Sequence, residues 1–240
     1  MYTDFKSNYL FVIAVLGIGL SFFIFVNGGQ NTTHLWDEGH LVETITELGF
    51  LFGFFAFLYL GLHIQKKLTK CWMFLWAVLS ILFLGEEASW GQHFLMYEVP
   101  ENIASNNTQG EMNLHNLNFL QSHSLQSDDG LSLRNLLTAQ NLFQLGFLSY
   151  FLILPIIANI SVFKNIIIKL AVPMPGAKTI IFIWAPIMLT IVLSILSLDA
   201  PITKAAMAEC REMFYGTGIG IFALALLLNY QKLDTHNKAA

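Results

Sequence analysis

The stretch WMFLWAVLSILFLGEEASWGQHFLM, residues 72–96, runs almost without polar interruption from Trp72 to Leu84. It then sets Glu86 and Glu87 side by side and follows them with Ser89, Trp90, Gln92 and His93. An apolar run of this length, without strand-like alternation, fits a helix that crosses the roughly 30 Å of bilayer hydrocarbon in about 20 residues. Barrel strands are shorter and alternate. The apolar part therefore predicts a membrane span, and the two glutamates mark its end.

Five further runs have the same character. With 72–94, the ranges 10–26, 41–63, 136–160, 179–197 and 213–230 predict six spans, and 95–135 is the longest stretch outside them. The composition agrees, being 55% hydrophobic and 12% charged with a mean hydropathy of +0.59; a soluble domain carries about 25% charged residues. The fold class expected is all-α integral membrane: one transmembrane domain over 1–240, a six-helix bundle, and an amphipathic lid between the third and fourth spans. Lys6 ahead of 10–26 imitates a signal peptide, but no small-residue cleavage pattern follows, so a retained helix is expected.

Basic residues orient the bundle. Lys6, Lys66, Lys67, Lys70, Lys164, Lys169, Lys178, Lys232 and Lys238 fall on one side, and only Arg134, Lys204 and Arg211 on the other. Both termini are expected in the cytoplasm. Of the acids, only Asp4 and Asp234 share the cytoplasmic side. His34, His40, His93, His115 and His123 go with the outer acids, so the ionisable chemistry gathers at the outer face. A net charge of −4 with no basic stripe argues against nucleic acid.

Read as a helix, the end of the third span puts Glu86, Ser89, Trp90 and His93 on one face, with Glu87 to one side and Gln92 turned elsewhere. A charge at mid-membrane costs about 2.5–3.5 kcal/mol, so two acids there require partners, a shared proton or a wet cavity. In the second span Glu43, Thr46 and Glu47 share a face at nearly the same expected depth. The segment GEMNLHNLNFLQSH, 110–123, read as an amphipathic helix, aligns Glu111, His115, Asn118 and Ser122. Glu111 and His115, four apart, can share a proton or hold a divalent metal ion. The plainer alternatives are solvated acids at helix ends and acids favoured by a helix N-terminus.

Glu209 and Glu212 precede the last span and could face the same cavity. The glycines of YGTGIGI, Gly216, Gly218 and Gly220, look like a phosphate loop but inside a membrane helix predict close helix packing. Cys71 and Cys210, the two cysteines, have no ligand spacing and read as packing residues.

Three blocks, DEGHLVETIT (37–46), GEEASWGQ (85–92) and NTQGEMNLHN (107–116), resemble the signature of a family of uncharacterised bacterial polytopic inner-membrane proteins. That signature reads roughly [DE]-G-x-x-x-E-x-x-T, then G-E-E-x-S-W-G-Q, then N-x-Q-x-E-x-N-L-H-N. The resemblance implies a site at Glu43, Thr46, Glu86, Glu87, Ser89, Trp90, Gln92, Glu111, His115 and Asn116, in a bacterial cytoplasmic membrane, without naming a reaction. His93 stands where the family usually carries a basic residue, often arginine. A weaker likeness is to alkaline ceramidase-type membrane hydrolases, through Ser89 and His93 and the WDE of 36–38. Those enzymes complete a zinc site with histidines in the last span, and 213–230 contains none.

The function expected is a membrane-embedded enzyme, a hydrolase or transferase acting on a membrane lipid or lipid-linked head group. Glu86 or Glu87 would be the base and His115 or Glu111 the proton donor. Glu43, Thr46, Ser89, Gln92 and Asn116 would hold the substrate, with Trp90 packed against it. The alternatives are a proton or cation channel or transporter component, and a subunit that receives another membrane protein.

Overall fold

In the computed structural model the chain is described over residues 2–3, 8–37, 39–120, 137–197 and 199–230. Its helices in order are α1 (Asn8–Asn27), α2 (Thr33–Trp36), α3 (Leu41–His63), α4 (Lys67–Glu87), α5 (Gln92–Leu95), α6 (Glu101–Ala104), α7 (Ala139–Ile157), α8 (Ser161–Lys169), α9 (Ala177–Leu196) and α10 (Pro201–Leu228). Two short strands, β1 (Tyr2–Thr3) and β2 (Met174–Pro175), pair in parallel. Among the described residues five helical stretches are long and apolar enough to cross a membrane: Gly29–His63, which includes α3, and α4, α7, α9 and α10. The expected span at 10–26 forms α1, whose apolar part, Phe11–Asn27, is shorter than the other five. The chain is thus all-helical and of membrane-spanning character.

The chain forms two compact units, Met1–Ile81 with Ala158–Ala240, and Leu82–Ile157. In the first unit α10 is central: 67% of its apolar window is buried, against 17–39% for the other four. It packs against α1, α3 and α9. Glycine makes the closest of these approaches possible. A Cβ on Gly49 would lie 2.5 Å from the Gly216 backbone, and one on Gly216 would lie 2.6 Å from the Thr46 carbonyl oxygen. The glycines of YGTGIGI thus include two that seat α10 on α3, since a Cβ on Gly220 would also reach within 3.1 Å of the Gly49 oxygen. Below this contact Phe57, Trp76 and Phe222 form a cluster with ring centroids 5.6–6.0 Å apart. At the other side of the crossing, Gly29 donates its backbone N–H to Thr203 Oγ1 at 2.9 Å and accepts from Trp36 Nε1 at 2.8 Å.

Helix α10 begins at Pro201, well ahead of the expected 213. The proline suits the first helical position, where no N–H partner is needed. Lys204, Glu209, Arg211 and Glu212 therefore sit within the helix: charge stops an apolar window, but it does not stop a helix.

The second unit holds the end of α4, α5, α6, the 105–120 segment and α7. Phe83 meets Phe143 edge-on at 4.9 Å, and Phe147 lies 4.5 Å from Phe151 along α7. Thr138 caps α7 by accepting from the Asn141 N–H at 3.2 Å. A π-helical turn spans Ser149–Ile153 just before Pro155. Proline has no N–H to give and its ring crowds the preceding turn, which accounts for the widened turn.

Two expectations for this unit are corrected. The third span, expected to continue to 94, stops as a helix at Glu87. The amphipathic helix expected over 110–123 is absent from its described part: residues 110–120 form turns, with an antiparallel bridge between Asn107 and Leu117. Ser122 and His123 lie outside the described residues. The reason is local. Asparagine side chains compete with the helix for backbone partners, and Asn107 Oδ1 accepts from the N–H groups of Gln109 at 2.9 Å and Glu111 at 3.2 Å.

Candidate functional site

Glu86 and Glu87 occupy the last two positions of α4, where the helix end carries partial negative charge and disfavours carboxylates. Donors offset this for Glu86. Its Oε2 accepts from the backbone N–H of Leu114 at 2.6 Å and of His115 at 2.9 Å, and Oε1 accepts from Trp90 Nε1 at 3.0 Å. His115 Nδ1 stands 3.5 Å from the same Oε2, with the histidine side chain 39% and the glutamate 20% exposed. One carboxylate thus both pins the 110–118 segment to the end of α4 and faces an imidazole.

After α4 the chain reverses through three consecutive residues with positive φ: Ser89 (43°), Trp90 (53°) and Gly91 (80°). The left-handed region costs a non-glycine residue about 1–2 kcal/mol, so the surroundings must hold the turn. Tyr97 donates its hydroxyl to the Ser89 carbonyl at 3.2 Å. The Trp90 ring lies over Gly85, where a Cβ would come within 2.8 Å of three ring atoms. The reversal also redirects Gln92, which helical spacing had turned away: its Oε1 accepts from the Met112 N–H at 2.8 Å.

Beneath the turn is a closed polar set. Ser89, 1% exposed, donates to Glu111 Oε2 at 2.6 Å, and Glu111 is itself 7% exposed. Asn113 donates to Ser89 Oγ at 2.9 Å and to Glu111 Oε2 at 2.8 Å. Asn107 in turn donates to Asn113 Oδ1 at 2.9 Å and to its carbonyl at 3.0 Å. Asn116 donates to Gln109 Oε1, and its carbonyl accepts from the Thr108 N–H at 2.8 Å. A buried network with every bond made is rigid, whereas a half-made one would be costly.

Of the sequence-predicted residues, Glu86, Ser89, Trp90, Gln92, Glu111, His115 and Asn116 thus belong to one hydrogen-bonded assembly in the second unit. Glu87 is half-buried beside it on the last turn of α4. Glu43 and Thr46 belong to the first unit. Glu43 accepts from the Gly39 N–H at 2.5 Å at the start of α3, and Thr46 donates to the Val42 carbonyl at 3.0 Å within its own helix. Sequence reasoning passed over Asn107, Asn113 and Tyr97. The first two stand in the NTQGEMNLHN block, where Asn107, Gln109, Glu111 and Asn113 alternate with a period of two, a spacing of extended chain rather than helix. No group of three or more His, Cys, Asp or Glu side chains among the described residues is arranged to hold a metal ion. Cys71 is exposed and Cys210 buried, and both are free thiols.

The fold and this assembly define an all-helical protein with membrane-length helices and a preorganised Glu–His pair at a helix end. No family model matches the chain, and no curated protein or solved structure matches it either.

Proposed function

We propose that this protein is a membrane-embedded hydrolase or transferase that acts on the head group of a lipid or lipid-linked substrate through the Glu86–His115 pair. The observation that carries the proposal is that pair: a carboxylate 3.5 Å from Nδ1 of a part-exposed imidazole. A carboxylate at Nδ1 fixes the ring and stabilises the imidazolium, and proton exchange with a substrate then falls to Nε2. His115 takes a proton from an attacking water or hydroxyl group and returns it to the leaving group. Glu86 orients it, while Ser89, Glu111, Asn113 and Asn107 hold its loop still.

The membrane setting of the proposal has α1 as a sixth span and both termini in the cytoplasm, in a bacterial cytoplasmic membrane. The distribution of lysines and the resemblance to bacterial polytopic membrane proteins support it.

The test is lipid mass spectrometry on proteoliposomes made from a polar lipid extract. Wild-type and Cys71→Ser protein should convert one lipid species to another over time, and His115→Ala should not. Equal conversion by His115→Ala, or none by wild type, would contradict the proposal.

A further inference from the structure

The three residues Phe94, Leu95 and Met96 are 87%, 65% and 88% exposed. Phe94 and Leu95 close the short helix α5 and Met96 follows it; the helix is set off from the chain by left-handed residues at both ends, Gly91 before it and Met96 after it. Consecutive large apolar side chains this exposed are not a feature of a water-facing loop. Their neighbours are ordered as they would be across a bilayer interface. Trp90 and Tyr97 flank them, each with an apolar ring and a bonded polar tip: Trp90 to Glu86 at the end of α4 at 3.0 Å, and Tyr97 to the Ser89 carbonyl in the turn that follows at 3.2 Å. Tryptophan and tyrosine gather at membrane–water interfaces for that reason. Glu98 and Glu101 follow at once, both exposed. Leu114, beside His115, is also exposed and apolar.

We infer that Phe94, Leu95 and Met96 form an interfacial anchor that enters the bilayer at the end of α4. The same helix end fixes two depths. Through Ser89–Gly91 it carries the anchor, and through Glu86 it carries Leu114 and His115. An anchor seated at the boundary between head groups and acyl chains holds the Glu86–His115 pair at head-group level. This deepens the proposal above, on which its functional part rests: the substrate is a lipid that stays in the membrane, presented by its head group, rather than a solute arriving from water.

The test places an environment-sensitive fluorophore on Met96→Cys in the full chain carrying Cys71→Ser, with buried Cys210 retained. The probe protein is reconstituted into phosphatidylcholine vesicles with ordinary or brominated chains. Asn102→Cys, on the exposed helix α6, is the companion position. The anchor predicts blue-shifted emission at position 96 that brominated lipid largely quenches, and water-like, unquenched emission at position 102. Water-like emission at 96, or equal quenching at both positions, overturns it. Neither readout depends on turnover, so loss of the anchor and loss of the Glu86–His115 activity are distinguished.

Discussion

Ser89 and Glu111 lie twenty-two residues apart in the chain, yet the serine hydroxyl meets the carboxylate at 2.6 Å in a buried position. This bond joins the strained turn after α4 to the segment that carries His115, so site geometry and local stability depend on the same atoms. Ser89→Ala would remove the donor and leave the buried carboxylate short of a partner. A loss of about 1–3 kcal/mol is expected, read as a fall in melting temperature in detergent and faster proteolysis between 105 and 120. Ser105→Ala, on an exposed helix end, should change neither.

The left-handed turn makes its own demand. Gly91 adopts φ 80°, and Gly91→Ala should cost about 1–2 kcal/mol there. Gly91→Asn should cost less, because asparagine tolerates that region better. Melting curves of the two variants side by side test the ordering.

In the first unit the contact between Gly216 and the Thr46 carbonyl leaves no room for a methyl group, and the obstacle is backbone rather than a movable side chain. Gly216→Ala should destabilise by about 1–3 kcal/mol, the range for overpacked interiors. Gly19→Ala, where a Cβ meets nothing within 4 Å, should be neutral or gain about 0.5–1 kcal/mol from helix propensity. Thermal unfolding in detergent separates them.

Much of the fold was legible because apolar windows report solvent directly: the second, fourth and fifth expected spans each coincide with a helix to within a few residues. Helix ends were less legible. The last span was begun too late because charges at Glu209, Arg211 and Glu212 end an apolar window without ending the helix. The third was carried too far because nothing apolar or polar in ASWGQHFLM announces that Ser89 and Trp90 take positive φ. That conformation is held by Glu111, Asn113 and Tyr97, which are remote in sequence. The site residues themselves were legible as residue types, and their arrangement was not. Helical spacing placed His115 and Glu111 on one stripe, whereas Asn107 and Asn113 hold a turn-rich segment, closed by the Asn107–Leu117 bridge, in which Glu111 is buried and His115 faces Glu86.

Orientation can be read from one thiol. Cys71 lies exposed in the first turns of α4 beside Lys66, Lys67 and Lys70. With those lysines in the cytoplasm, a membrane-impermeant maleimide should label Cys71 in inside-out vesicles and spare it in right-side-out vesicles. The reverse pattern would invert the proposed topology. Buried Cys210 should remain unlabelled in both.

Glu86→Gln preserves an acceptor for Leu114 and His115 but removes the charge that supports an imidazolium. The fold should survive, and turnover should drop by about a hundredfold or more, the scale of one general acid–base contribution. A variant with full turnover would assign Glu86 a purely structural part.

The most direct measurement is native mass spectrometry of the wild-type protein beside the Glu86→Gln/His115→Ala double variant, each released from the same lipid mixture. A discrete lipid adduct of one head-group class on the wild type, lost or redistributed among head groups in the double variant, is the predicted result. Identical adduct patterns on both proteins would contradict a lipid head group at the Glu86–His115 pair.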